Sequence, residues 1–178
     1  MQLRHTSQIN YLTQGSHFMM NVNSLIEQYQ LEPHPEGGYF KEIYRSDMQV
    51  TSPIDGETRS AVTHIYFLLP RGEVSRFHKV THDEIWNYYA GAPLCLIDMD
   101  ASDTTSPQVT QQYIGVGKPD FTYVIQGGRY QAAESTGEFT LVGCTVAPGF
   151  DFKDFSFIED EQLKQTIDST LGHLKKFV

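Results

Sequence analysis

Two residues able to do chemistry, His78 and Glu84, stand six positions apart in GEVSRFHKVTHDEIWNYYAG, residues 72–91. Gly72 precedes His78 with five residues between them, and Gly91 closes the stretch. Residues two apart on a strand share a face. A histidine on one strand and a glutamate just past the next turn therefore converge if the strands line a small barrel. Imidazole and carboxylate together suit two chemistries: coordination of a divalent Mn, Fe, Ni or Zn ion, and metal-free proton transfer. The plainer reading of His78 is a core histidine with a satisfied hydrogen bond. Glu84 runs into Ile85 and Trp86, and a carboxylate entering an apolar strand needs a partner. His78, Arg76 and Arg129 are the candidates. Trp86 and Tyr88 share strand parity with Glu84, which suits a stacking wall for a flat ligand or plain barrel core. Arg76 shares parity with His78 and is either an anion clamp or a solvated surface charge.

Strands must position these groups. From Tyr39 to about Phe157 the chain is a series of short runs rich in β-branched and aromatic residues, among them YFKEIYR, AVTHIYFLL, LCLIDM and EFTLVGCTV. Gly, Pro, Asp and Ser punctuate them. This rhythm predicts an all-β sandwich or barrel rather than a βαβ fold. A short helix is expected before it, with Ser24 and Glu27 as a capping box. A second is expected over Glu159–Leu174, where Leu163, Ile167, Leu171 and Leu174 recur at helical spacing. Pro33, Pro35, Gly37 and Gly38 crowd into a turn with unusual backbone demands. APGFDF, residues 147–152, reads as a structural turn with no catalytic mark. Tyr39, Glu42 and Arg45 follow the Gly-rich turn and suit a dimer interface, a pocket mouth or simple surface pairing.

The chain has 178 residues, enough for one domain with a sizeable core. The polar stretch 1–19 is expected to be a flexible extension, with Met19 or Met20 as a possible true start and the domain over 20–178. A formal net charge of −9 makes nucleic acid and anionic membrane surfaces poor partners. Without an apolar leader or a run of membrane-spanning length, the expected location is cytoplasmic. Cys95 and Cys144 lie in apolar runs and are expected to be buried free thiols without an activating neighbour.

The segments HPEGGYFKEIYRS (34–46), SRFHKVTHDEIWNYYAG (75–91), GGRYQAA (127–133) and LVGCTVAPGFDFKDF (141–155) resemble, in content and order, a single-domain family of the RmlC-like cupin superfamily, cupin type five. The resemblance spans about Leu25 to Phe157. It implies a double-stranded β-helix, or jelly roll, with short terminal helices, a homodimer and no established activity. The spacing of Gly72, His78, Glu84 and Gly91 is that of the first cupin motif. The motif's second histidine falls at Val80, and His82 lies nearby in a predicted turn. In the second motif Gln126 replaces the proline and Gln131 stands where a histidine would be. The implied ligand set shrinks to His78, Glu84 and Gln131, and a neutral amide is a poor ligand for a transition metal. His82 and Asn87 also depart from the family pattern and suggest an altered pocket rim.

Three functions are thereby set against one another. One is an isomerase- or epimerase-like enzyme on a sugar or other polar metabolite. In it His78 is the acid or base, Glu84 orients it, and Arg76 or Arg129 clamps an anion. Another is a non-catalytic binding or sensing protein for a small molecule. The last is a metal-dependent enzyme.

Overall fold

The computed structural model describes residues 21–178, so the expected extension over 1–19 lies outside the described residues. Helix α1 (Val22–Tyr29) opens the domain. Its cap is Asn21 rather than Ser24: the Asn21 side chain accepts from the Ser24 N–H, and the Ser24 hydroxyl accepts from the Asn21 N–H. The box is therefore real, but it sits three residues earlier than expected, because Asn caps as well as Ser.

Thirteen strands follow in the described chain: β1 (Glu32–Pro33), β2 (Tyr39–Arg45), β3 (Gln49–Thr51), β4 (Thr58–Ser60), β5 (Thr63–Pro70), β6 (Val74–Lys79), β7 (Asp83–Gly91), β8 (Leu94–Asp100), β9 (Gln108–Ile114), β10 (Thr122–Ile125), β11 (Tyr130–Ser135), β12 (Phe139–Ala147) and β13 (Ser156–Phe157). They form one sheet in the order β1-β2-β5-β12-β7-β10, a second in the order β13-β6-β11-β8-β9, and a β3-β4 hairpin. The paired strands run antiparallel. This is the jelly roll that the resemblance implies.

Alternation along the strands sends Phe67, Trp86, Leu96 and Val142 into a core between the sheets. Helix α2 (Glu161–Thr170) and a 3-10 turn (Gly172–Phe177) cover the outer face of the second sheet through Leu163, Ile167, Leu174 and Phe177. The periodicity marked the right residues, although the helix ends at Thr170 and gives way to the 3-10 turn rather than continuing to Leu174. Helix α1 lays Leu25 against Leu68 and Leu141 of the first sheet. Among the described residues no helix is long and apolar enough to cross a membrane.

Two departures from regular geometry shape the interior. Across β11 and β6, Gln131 opposes His78 and Ala133 opposes Ser75. Two residues of β6, Arg76 and Phe77, therefore face one of β11, Ala132, a bulge that turns both Ser75 and His78 inward. The second is the turn before β2. Gly37 has φ +115°, and a Cβ there would meet the Val74 carbonyl oxygen at 2.1 Å. Only glycine lets this turn seat on β6, where the Arg76 N–H donates to the Glu36 carbonyl at 2.9 Å. Gly37→Ala is expected to cost about 2 kcal/mol or more. Thermal denaturation followed by circular dichroism checks this, and an unchanged midpoint would contradict the seating of the turn.

Candidate functional site

A buried carboxylate that sequence reasoning missed, Glu36, anchors the site. It comes from the Gly-rich turn and is 5% exposed. The Ser75 hydroxyl donates to its Oε1 at 2.8 Å, while its Oε2 lies 3.2 Å from His78 Nε2 and 3.3 Å from His34 Nδ1. The bulge in β6 delivers Ser75 and His78 to it together. The HPEGG segment showed strain but not chemistry, and only the tertiary contact with β6 turns that strain into a site.

A backbone partner fixes the tautomer of His78. Its Nδ1 donates to the Arg76 carbonyl at 2.8 Å, an acceptor that cannot donate. Its Nε2 then has two options. Unprotonated, it accepts from the Gln131 amide at 3.1 Å; protonated, it donates to Glu36. The two arrangements differ by one proton.

Gln131 is oriented in turn by Trp86, whose indole N–H donates to Gln131 Oε1 at 2.9 Å. An indole only donates, so the amide must present its NH2 to the site, where it also donates to Glu84 Oε2 at 2.5 Å. Glu84 and Cys144 project inward from the paired strands β7 and β12, and the buried Cys144 thiol lies against the Glu84 carboxyl.

The two carboxyls are driven apart. Burial raises Glu36, but the His78 charge and the hydrogen bonds from His34 and Ser75 outweigh it and hold the group below its ordinary 4.5. Burial also raises Glu84, and there it prevails: His78 and Gln131 pull down, Glu36 adds to the rise, and the group ends above 4.5. Burial likewise pushes the Cys144 thiol far up, with the neighbouring carboxylates adding to it, which leaves it protonated and a poor nucleophile.

Glu36, His78, Glu84 and Cys144 line the inner end of a pocket. Its walls are largely aromatic, with Phe40, Phe67, Phe150, Phe152 and Phe155 among them. The Phe155 ring stacks on His78 at 5.1 Å and 23°. Thus APGFDF and the residues after it, read as a bare turn, supply pocket wall. The Ala147–Pro148 bond in this segment is cis. Asp154 anchors it through both carboxylate oxygens to the Arg59 guanidinium, at 2.7 and 2.8 Å, and that guanidinium holds the Asp154 carboxyl below its ordinary value. Glu42 and Arg45 pair at the pocket mouth, with the Arg45 Nη1 donating to the Phe150 carbonyl.

Several expected site residues lie elsewhere. The bulge breaks the parity between Arg76 and His78, so Arg76 turns outward to the Pro35 carbonyl and over the Phe157 ring. Arg129 pairs with Asp98 and Asp100 away from the pocket. Trp86 is buried core that reaches the site through Gln131 and the Phe67 ring. Tyr88 packs on Phe121 and donates to the Gly91 carbonyl. The rim departures are not at the rim either. His82 bonds Ser52 at 2.9 Å beside Asp154, and Asn87 bonds Thr122, the Ile85 carbonyl and the Gly143 carbonyl.

The donor set does not fit a metal held by His78, Glu84 and Gln131. Gln131 turns its NH2, not its oxygen, toward the other two. Among the described residues no group of three or more His, Cys, Asp or Glu side chains is placed to hold a metal ion.

Relatives share this architecture. The family model described as Cupin superfamily (DUF985) matches residues 23–158. An uncharacterized protein of Saccharomyces cerevisiae, YML079W, is 32% identical over 163 residues, 83% of this chain and 80% of the yeast protein. A solved hypothetical protein from Leishmania major superposes with TM-score 0.77 at 31% identity, covering 89% of this chain and 99% of that one. Protein SO0799 from Shewanella oneidensis gives 0.76 at 31%, covering 89% and 98%.

Two predictions follow from the polar cluster. The folded protein retains a proton on Glu84 that the unfolded chain releases, so this group's contribution to stability falls as pH rises from 4.5 to its raised value. Glu84→Gln lacks that fall and gains on the parent across the window. Urea denaturation at stepped pH measures it, and parallel profiles would refute it. Trp86→Phe leaves Gln131 Oε1 without its donor and is expected to cost about 1–3 kcal/mol beyond the loss of ring area, read from the same denaturation curves.

Proposed function

The chain belongs to the DUF985 family of the cupin superfamily, and from the pocket its jelly roll builds we propose that it binds a small molecule and moves a proton on it. The observation that carries this reading is His78 Nε2, 3.2 Å from the Glu36 carboxylate and joined to the Glu84 carboxyl through the Gln131 amide, with the two carboxyls shifted in opposite directions. Such divergence assigns acid and base roles. His78 Nε2 takes a proton from a ligand carbon beside a carbonyl or imine, which breaks the C–H bond and forms N–H. Ionised Glu36 stabilises the imidazolium. Protonated Glu84 returns a proton to the ligand at a second position. The ligand leaves as an isomer, and both side chains reset by exchange with water at the mouth. Phe155 and the other rings exclude water from the inner end, which strengthens each of these interactions.

One observation favours binding without turnover: the Gln131 amide lies within hydrogen-bonding distance of His78 Nε2. A base must shed that donor before taking a proton.

Deuterium exchange separates the two readings. The protein is incubated in D2O with a panel of small carbonyl and imine compounds, and loss of ligand C–H signals is followed by proton NMR. Exchange on at least one compound is expected, slowed about 10²- to 10⁴-fold by His78→Gln. Saturable binding with no exchange across the panel would favour the binder.

A further inference from the structure

The inner end of the pocket and its walls select for charge in the same direction. At the end stand two carboxyls, Glu36 and Glu84, with the His78 and His34 imidazoles against Glu36. The Glu84 carboxyl receives the Gln131 amide on Oε2 and lies against the Cys144 thiol. Five phenylalanines are among the wall residues, and aromatic rings attract cations.

Permanent positive charge is scarce. The lining cation is Arg45, at the mouth, and Glu42 already occupies its fork: Nε reaches Oε1 at 3.0 Å and Nη2 reaches Oε2 at 2.7 Å. Arg76 and Arg129, the expected anion clamp, face away. An anion entering would therefore meet the Glu36 carboxylate in a low-dielectric recess with no guanidinium at its inner end to neutralise it. A sugar nucleotide or acidic metabolite is the wrong class for this interior.

Resting on the reading of this pocket as the ligand site, we propose that it takes a small organic cation with a flat apolar body, of the arylalkylamine or amidine class. The cationic N–H groups point to Glu36 and to Glu84, which gives up its proton to water as the cation enters, and the body lies against Phe40, Phe152 and Phe155.

The chain's single tryptophan makes the test direct. The Trp86 indole N–H is hydrogen-bonded to Gln131, which touches both His78 and Glu84, so its NMR signal reports events at the inner end. The full chain, labelled with nitrogen-15, is titrated with benzamidine and phenethylamine, and with the neutral benzyl alcohol and the anionic benzoate. The two cations are expected to shift the indole signal saturably and to bind at least about tenfold more tightly than benzoate. Glu84→Gln is expected to weaken the cations about 10- to 100-fold. Phe155→Leu, which leaves every polar group in place, is expected to weaken them about 3- to 10-fold. The same spectra verify that both variants fold. Equal or tighter binding of benzoate or benzyl alcohol, weakened by Phe155→Leu, overturns the cation class and leaves the ligand pocket standing. No shift of the indole by any probe overturns both.

Discussion

Glu36 holds its carboxylate inside the protein against the His78 imidazole, and much of the site's construction serves that contact. A buried carboxylate without partners would be intolerable. The structure supplies partners by two backbone irregularities in register with each other: the bulge that turns Ser75 and His78 the same way, and the glycine turn that lowers Glu36 onto them. Neither serves the other alone. Without the bulge Ser75 and His78 would point to opposite faces, and without Gly37 the carboxylate could not come close.

Around that contact the remaining polar groups are ordered by what they cannot do. The Arg76 carbonyl cannot donate, so His78 Nδ1 must. The Trp86 indole cannot accept, so Gln131 must turn its oxygen away from the pocket. Two groups outside the pocket thus dictate the face that His78 and Gln131 show to it. A neutral core residue, Trp86, sets the polarity of a site it does not line.

Much of the fold was legible in the chain. The punctuated strands, the apolar stripe of α2 and the His78–Glu84 spacing all come from local pattern, which strand and helix geometry translate directly. What was hidden depends on contacts between distant segments. Arg76 was assigned inward by strict alternation, and a bulge invisible in the sequence reversed it. Glu36 lies in a segment marked only for its backbone, because its partners sit on β6, far along the chain. Phe150, Phe152 and Phe155 follow a turn that nothing local distinguishes from a linker, and what gives them a role is the Arg59–Asp154 pair. The β3–β4 hairpin escaped because its polar residues lack the alternation of a half-buried sheet. Gln131 was seen as a degraded metal ligand, whereas its environment makes it a hydrogen-bond donor.

The anchored segment that ends at Phe155 also bears on how the site comes into being. Glu36 leaves the ribosome first, His78 and Glu84 next, Gln131 later, and the closing aromatic wall last of these. A nascent chain lacking that last stretch has no finished recess, however many of its strands have paired. The recess is therefore a property of the entire domain, not of any one hairpin. Whatever occupies it adds its binding free energy to the global folding equilibrium and not to a local opening. Occupancy would lengthen the protein's life against proteolysis and heat as a whole.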